Sequence, residues 1–90
     1  MLEIRPTSKF KRDLKQAIRR GYDMSALETV VDQLARQEPL PEKNRDHSLS
    51  GDFAGCRECH IAPDWLLIYR VQGDELYLVR TGSHADLFGI

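Results

Sequence analysis

The chain has 90 residues, 41% hydrophobic and 30% charged, with a formal net charge of −1. That length holds one core and buries only about 60–65% of the unfolded chain's surface, so a bound partner adds appreciably to stability. No apolar run approaches the ~18 residues that span a bilayer. The opening Met-Leu-Glu-Ile-Arg-Pro lacks the basic-then-apolar layout of a secretory signal. A cytoplasmic protein with no membrane contact and two free thiols is therefore expected.

Leu2-Glu-Ile4-Arg alternates as a short strand and is closed by Pro6. Thr7 or Ser8 then caps a helix over about Lys9 to Arg20, whose apolar face is Phe10, Leu14, Ala17 and Ile18. Gly21 ends it. Residues 1–22 carry seven basic side chains against two acidic, whereas 23–90 carry six against twelve. A basic first element on an otherwise acidic chain suits a polyanion, although a solvated helix face reads the same way.

A second helix starts near Asp23 or Ser25, where Ser25-Ala-Leu-Glu28 has the capping-box spacing, and presents Leu27, Val30, Val31 and Leu34 on one face. Pro39 and Pro41 stop it and open a polar loop over 42–50. The remainder reads as β. Cys56 to Ile61 forms a mixed strand, Pro63-Asp64 a turn, and Trp65 to Val71 a buried central strand. Gln72-Gly-Asp74 makes a hairpin connection to a partner strand over Glu75 to Thr81, which Thr-Gly-Ser then breaks. The order predicts one α+β domain over 1–90, with an αα-hairpin packed on one face of a small antiparallel sheet.

The chemistry concentrates in the second half. His47, His60 and His84 are all the histidines of the chain, and they lie near strand ends beside Asp64, Arg80, Trp65 and Phe88. Paired imidazoles can act as base and acid near neutrality, and Asp64 can orient one of them. Arg80 can neutralise a phosphate gaining charge, and Trp65 and Phe88 can stack on unpaired bases. This is equipment for cleaving RNA through its own 2′-hydroxyl. Structural roles compete with it: Trp65 as core, Phe88 as an anchor for the C-terminus, Arg80 paired with Asp64 or Glu58, and His47 idle on its loop.

Two other chemistries have weaker support. Cys56-Arg-Glu-Cys59-His60 matches the c-type haem attachment pattern, but it lies within a strand, and Met24 is the only methionine besides the first residue. A site of three histidines with Asp64 would have the spacing H-x12-H-x3-D-x19-H, which fits no compact metal motif.

Three stretches carry a family resemblance. They are Asp46-His47-Ser-Leu49-Ser-Gly51; Gly55-Cys-Arg57-Glu58-Cys-His60-Ile-Ala-Pro63-Asp64-Trp65-Leu-Leu-Ile-Tyr69; and Arg80-Thr81-Gly82-Ser-His84-Ala-Asp-Leu87-Phe88. With Phe10-Lys-Arg-Asp-Leu, Gly21-Tyr-Asp-Met-Ser-Ala-Leu and Glu38-Pro-Leu-Pro upstream, they resemble the YafQ branch of the RelE superfamily of toxins over nearly the whole chain. The resemblance implies a microbial-ribonuclease-like fold and a ribosome-dependent mRNA interferase working without metal or cofactor. It also implies a cognate antitoxin, typically a dimeric DNA-binding protein of ribbon-helix-helix type, with operator DNA reached only through that complex.

The same resemblance places His47, His60, Asp64, Arg80 and His84 at catalytic positions and Trp65 and Phe88 at substrate-contacting ones. The roles it suggests are His47 or His60 as base with Asp64 orienting His60, Arg80 stabilising the phosphorane-like transition state, and His84 protonating the leaving oxygen. Lys9, Lys11, Arg12, Lys15, Arg19 and Arg20 would meet ribosomal RNA. The sequence pI near 6.3 departs from the basic character of many members. It keeps open a second class, a catalytically silent module that binds an antitoxin and regulates an operon.

Overall fold

The computed structural model describes residues 1–90 and is an α+β domain. Strand β1 (Glu3–Pro6) leads into helices α1 (Ser8–Arg19) and α2 (Met24–Ala35). Strands β2 (His47–Ser48), β3 (Arg57–Ala62), β4 (Trp65–Gln72) and β5 (Glu75–Gly82) follow, and helix α3 (His84–Phe88) closes the chain. The sheet order is β1-β5-β4-β3-β2. No helix is long and apolar enough to cross a membrane.

The sheet departs from the all-antiparallel expectation at one edge, where β1 pairs with β5 in parallel, Glu3 opposite Glu75 and Pro6 opposite Leu78. The two helices intervene between β1 and the rest of the sheet, so β1 is not bound to reverse direction as hairpin neighbours are. Thr7 sits where β1 ends. Its hydroxyl accepts the Phe10 N–H at 3.1 Å and donates to the Val79 carbonyl at 2.8 Å, so the cap of α1 is also a tie to β5. Asp23 caps α2 through Ser25 N–H at 3.0 Å, in place of the Ser25–Glu28 box.

Strand alternation divides the sheet into two faces. Cys59, Trp65, Leu67, Tyr69, Leu76 and Leu78 share a core with Phe10 and Ala17 of α1 and Leu27, Val30, Val31, Leu34 and Ala35 of α2. Ile18, expected on that face, is 56% exposed. The opposite face holds the cross-strand row His47, Glu58, Ile68, Arg80 and the next row His60, Leu66, Gly82. Leu66 and Ile68 are fully buried beneath it.

Helix α3 is a feature the sequence reading left as a strand break. Ser83 caps it in a box with Asp86, each side chain bonding the other's backbone N–H at 3.0 and 2.9 Å. Asp86 also receives Arg20 at 2.6 and 3.2 Å, which fixes α3 to the end of α1. A Cβ at Gly82 would lie 3.0 Å from that of Asp86, so a side chain there would press the helix back by a few tenths of an ångström.

Two stability predictions follow from this packing. Thr81 is 2% exposed; its hydroxyl accepts the Trp65 indole N–H at 2.9 Å and donates to the Leu66 carbonyl at 2.7 Å. Thr81→Val keeps the shape but strands both partners, and should cost about 1–3 kcal/mol, read from the urea midpoint at constant slope. The Arg20 guanidinium, and then the Ser83 N–H, hold the Asp86 carboxyl well below the usual carboxylate range. Its stabilisation is therefore complete above the unfolded carboxyl value of about 3.9 and drains away as pH falls toward the folded one. The stability gap between wild type and Asp86→Asn should be smaller at about pH 3 than at about pH 6; a gap indifferent to pH would sink this assignment.

Candidate active site

The polar face of the sheet gathers five of the seven site residues expected from sequence. His47 comes from β2, His60 from β3, Arg80 from β5, Asp64 from the β3–β4 turn, and His84 from the first position of α3. The His60 and His84 rings lie 5.5 Å apart, edge to face.

Asp64 orients His84, not His60. Its Oδ1 accepts both the His84 backbone N–H at 2.9 Å and Nδ1 at 2.6 Å. The backbone bond first, and the ring second, hold the Asp64 carboxyl below its ordinary range. With Nδ1 engaged, His84 keeps Nε2 as its free ring nitrogen. Asp64 stands in the turn ahead of β4, and the rotation of α3 about its Ser83 cap swings His84 back onto it.

Glu58 belongs to the site, and the sequence reading missed its place there, weighing it only as a structural partner for Arg80. Its side chain is 7% exposed, and Oε2 lies 3.0 Å from His47 Nε2. Oε1 is buried with no hydrogen-bond partner. The signal was available: Glu58 stands two residues before His60 on a strand, and that spacing puts both on one face.

His47 has both ring nitrogens committed. Nδ1 lies 2.7 Å from the Arg45 carbonyl, which can only accept, so that nitrogen carries hydrogen, while Nε2 lies 3.0 Å from Glu58 Oε2. β2 itself is tied to its neighbours through Arg57, which donates to Asp46 at 3.1 Å and Ser48 at 2.9 Å, and through Tyr69, whose hydroxyl reaches Asp46 at 2.7 Å.

Arg80 pairs with Asp13 of α1, through Nε at 2.6 Å and Nη2 at 3.1 Å, and not with Asp64 or Glu58. Asp13 also accepts the Thr81 N–H at 3.2 Å. The reason is topological. β1 pairs with β5 only as far as Leu78, so the outer edge of β5 is open beyond it and α1 supplies the acceptor. The clamp fixes the guanidinium plane and leaves Nη1 without a protein partner.

The aromatic pair separates. Trp65 is 4% exposed, its ring tilts against Tyr22 with centroids 4.9 Å apart, and its indole N–H donates to Thr81. Strand parity turns it to the helix face, away from the histidines. Phe88 is 38% exposed at the end of α3 and packs edge-on against Phe53. Among the helix cations Lys9, Lys11, Arg12, Lys15, Arg19 and Arg20 are all exposed, and Arg20 is also paired with Asp86.

Cys56 and Cys59 are buried free thiols, and burial pushes Cys59 up to about 12. Cys59 faces the helices while His60 faces the opposite side, so the C-x-x-C-H run cannot converge on a haem. The group with metal-ligand geometry is Glu58, His60 and His84, whose donor atoms lie within 4.8 Å of one another. It shares only two members with the three-histidine, one-aspartate set.

The family model for the bacterial toxin of type II toxin–antitoxin systems, YafQ, matches residues 2–89. The mRNA interferase toxin YafQ of Escherichia coli K12 is 39% identical over 88 residues, covering 97% of this chain and 96% of that protein. A crystal structure of the Escherichia coli DinJ–YafQ complex superposes with a TM-score of 0.90 at 38% identity, covering 99% of this chain and all of the other. A copper-bound mutant toxin from Helicobacter pylori superposes at 0.93 with 42% identity, covering 98% and 100%. With the match running from the first strand to the end of the last helix, the chain belongs to the YafQ family of type II toxin–antitoxin toxins.

Proposed function

We propose that the chain is a ribosome-dependent endoribonuclease that cleaves messenger RNA by acid/base catalysis, with the substrate's 2′-hydroxyl as nucleophile. The observation that carries the reading is the meeting of Glu58, His60 and His84 on the open sheet face, with Arg80 held alongside. His60 is the base, because its ring makes no hydrogen bond within the protein while His47 is committed at both nitrogens. His60 takes the 2′-hydroxyl proton, the 2′-oxygen attacks phosphorus, and the bond to the 5′-oxygen breaks. His84 Nε2 protonates that leaving oxygen, with Asp64 holding the ring at Nδ1. The products are a 2′,3′-cyclic phosphate and a 5′-hydroxyl, and no other reactant is consumed.

Arg80 Nη1 meets the charge that builds on the phosphorane-like centre. Glu58 plays two parts: Oε2 holds His47 in place, and the unpartnered Oε1 steadies the His60 imidazolium once it forms. Phe88 offers a stacking face, and Lys9, Lys11, Arg12, Lys15 and Arg19 offer a cationic helix surface to ribosomal RNA. The cognate antitoxin is a dimeric ribbon-helix-helix protein, and the pair reaches operator DNA together in the cytoplasm. An apolar groove of about 520 Å³ along Ile4, Phe10, Leu14, Leu27, Val31 and Leu78 supports that partner, and the Escherichia coli relative is crystallised with DinJ.

Expression should arrest growth, and His84→Ala should lower cleavage of a translated message by about 10²–10⁴-fold while the variant keeps its fold. Primer extension measures this, and undiminished cutting would remove His84 as the acid. Chelator should leave cleavage intact. Copper(II) or zinc(II), seated on Glu58, His60 and His84, should suppress it by taking the nitrogens the proton transfers use, with chelator restoring the rate. Loss of activity on chelation, recovered with metal, would make the ion a participant.

A further inference from the structure

A hollow of about 480 Å³ opens beside His60, between the 3-10 turn Glu42–Asn44 and the end of β3. Its size is that of small-ligand sites. Lys43 and Arg45 line it and no carboxylate does. Neither cation has an ion-pair partner within 4.0 Å, a state shared with Lys9, Lys11, Arg12, Lys15, Arg19 and Arg70, but Lys43 and Arg45 stand beside His60. Ile61, Ala62 and Pro63 supply an apolar wall.

The turn that carries these cations is firmly held. Asn44 is 7% exposed, and its Nδ2 donates to the His60 carbonyl at 2.7 Å. Arg45 adopts a left-handed backbone, φ 48° and ψ 46°, which residues other than glycine avoid. That conformation aims the Arg45 carbonyl at His47 Nδ1, 2.7 Å away. One buried asparagine thus joins the hollow to the backbone of His60, and one strained residue joins it to His47.

We propose that this hollow is a subsite for a nucleotide flanking the scissile bond, with Lys43 and Arg45 on its phosphodiester and the Ile61–Pro63 wall against its base. The inference rests on the RNA-cleavage reading above and adds the course of the strand: one phosphate lies among His60, His84 and Arg80, and the next passes over the 43–45 turn. Two unpaired cations are a signature of polyanion contact, and their continuity with His60 selects the substrate strand over a distant rRNA surface.

The test uses the full chain, a single-stranded 2′-O-methyl oligonucleotide that cannot be cut, and the Lys43→Gln/Arg45→Gln variant. Both side chains are exposed, so the variant should keep the wild-type melting temperature. At about 0.1 M salt its affinity should fall about tenfold, and the slope of log K against log salt should drop by about 0.7, the value for the one single-strand phosphate the pair contacts. A methylated dinucleotide, with a single phosphodiester, should bind both proteins alike. Unchanged affinity and slope, with the wild type binding the same oligonucleotide, overturn the subsite. A loss seen only in cleavage on ribosomes, with oligonucleotide binding intact, assigns the cations to ribosomal RNA and overturns it as well. A wild type that neither binds nor cuts RNA overturns the cleavage reading itself, and the subsite with it.

Discussion

The alternation of side chains along β3, β4 and β5, interrupted once in each strand pairing, is the constraint on which the rest of the structure depends. It sorts adjacent residues into opposite environments: Cys59 into the helix-packed core and Glu58 and His60 onto the polar face, Leu67 against the helices and Ile68 beneath the site. A chain this small cannot devote separate layers to stability and chemistry. One sheet serves both, since its helix face supplies most of the buried apolar area while the opposite face is free to carry charge. The irregularity between Ile68 and Tyr69 in the β4–β5 pairing lets Arg80 fall in line with Ile68 and Glu58 while Leu78 stays opposite Tyr69 in the core.

Polar contacts then fix the parts that alternation alone leaves loose. α3 has five residues and no buried side chain, so packing holds it only weakly, through the edge contact of Phe88 with Phe53. It is held by its capping box and by the paired bonds from Arg20 to Asp86. β2 has two residues, and it is held by Arg57, Asp46 and Tyr69. Exposed ion pairs contribute little in general, but a two-point guanidinium–carboxylate contact adds geometry even where it adds little energy. The histidines sit on these two short elements and on β3, so rigidity at the site comes from polar geometry laid over an apolar base.

The sequence made the elements legible because their signals are local: Thr7 before a helical stripe, Gly21 and Asp23 between the helices, and the apolar run from Trp65. The five polar site residues were legible as types near strand ends. Their partners were not. Asp64 stands close to His60 in sequence, yet the turn at Pro63–Asp64 aims it across the sheet edge at His84. Asp13 meets Arg80 from 67 residues away, through an edge that exists only because β1 stops at Leu78. Trp65 opens a strand whose parity could be read, and that parity marks it as core. The family resemblance implies a substrate contact, and the indole bond to Thr81 adds a structural one.

Glu58 shows how the pieces interact. A buried carboxylate is costly unless its charge is answered, and an oxygen without a partner is costlier still. Oε2 is answered by His47, whose other nitrogen is fixed by the Arg45 carbonyl, which is in turn set by the left-handed turn at Arg45. Oε1 is answered by nothing in the protein. The site at rest therefore holds an unspent acceptor beside two imidazoles. In the proposed reaction that acceptor faces the charge His60 gains on taking a proton, which places part of its stabilisation on the path from substrate to products. Binding energy that appears only as charge develops is the kind that accelerates a reaction.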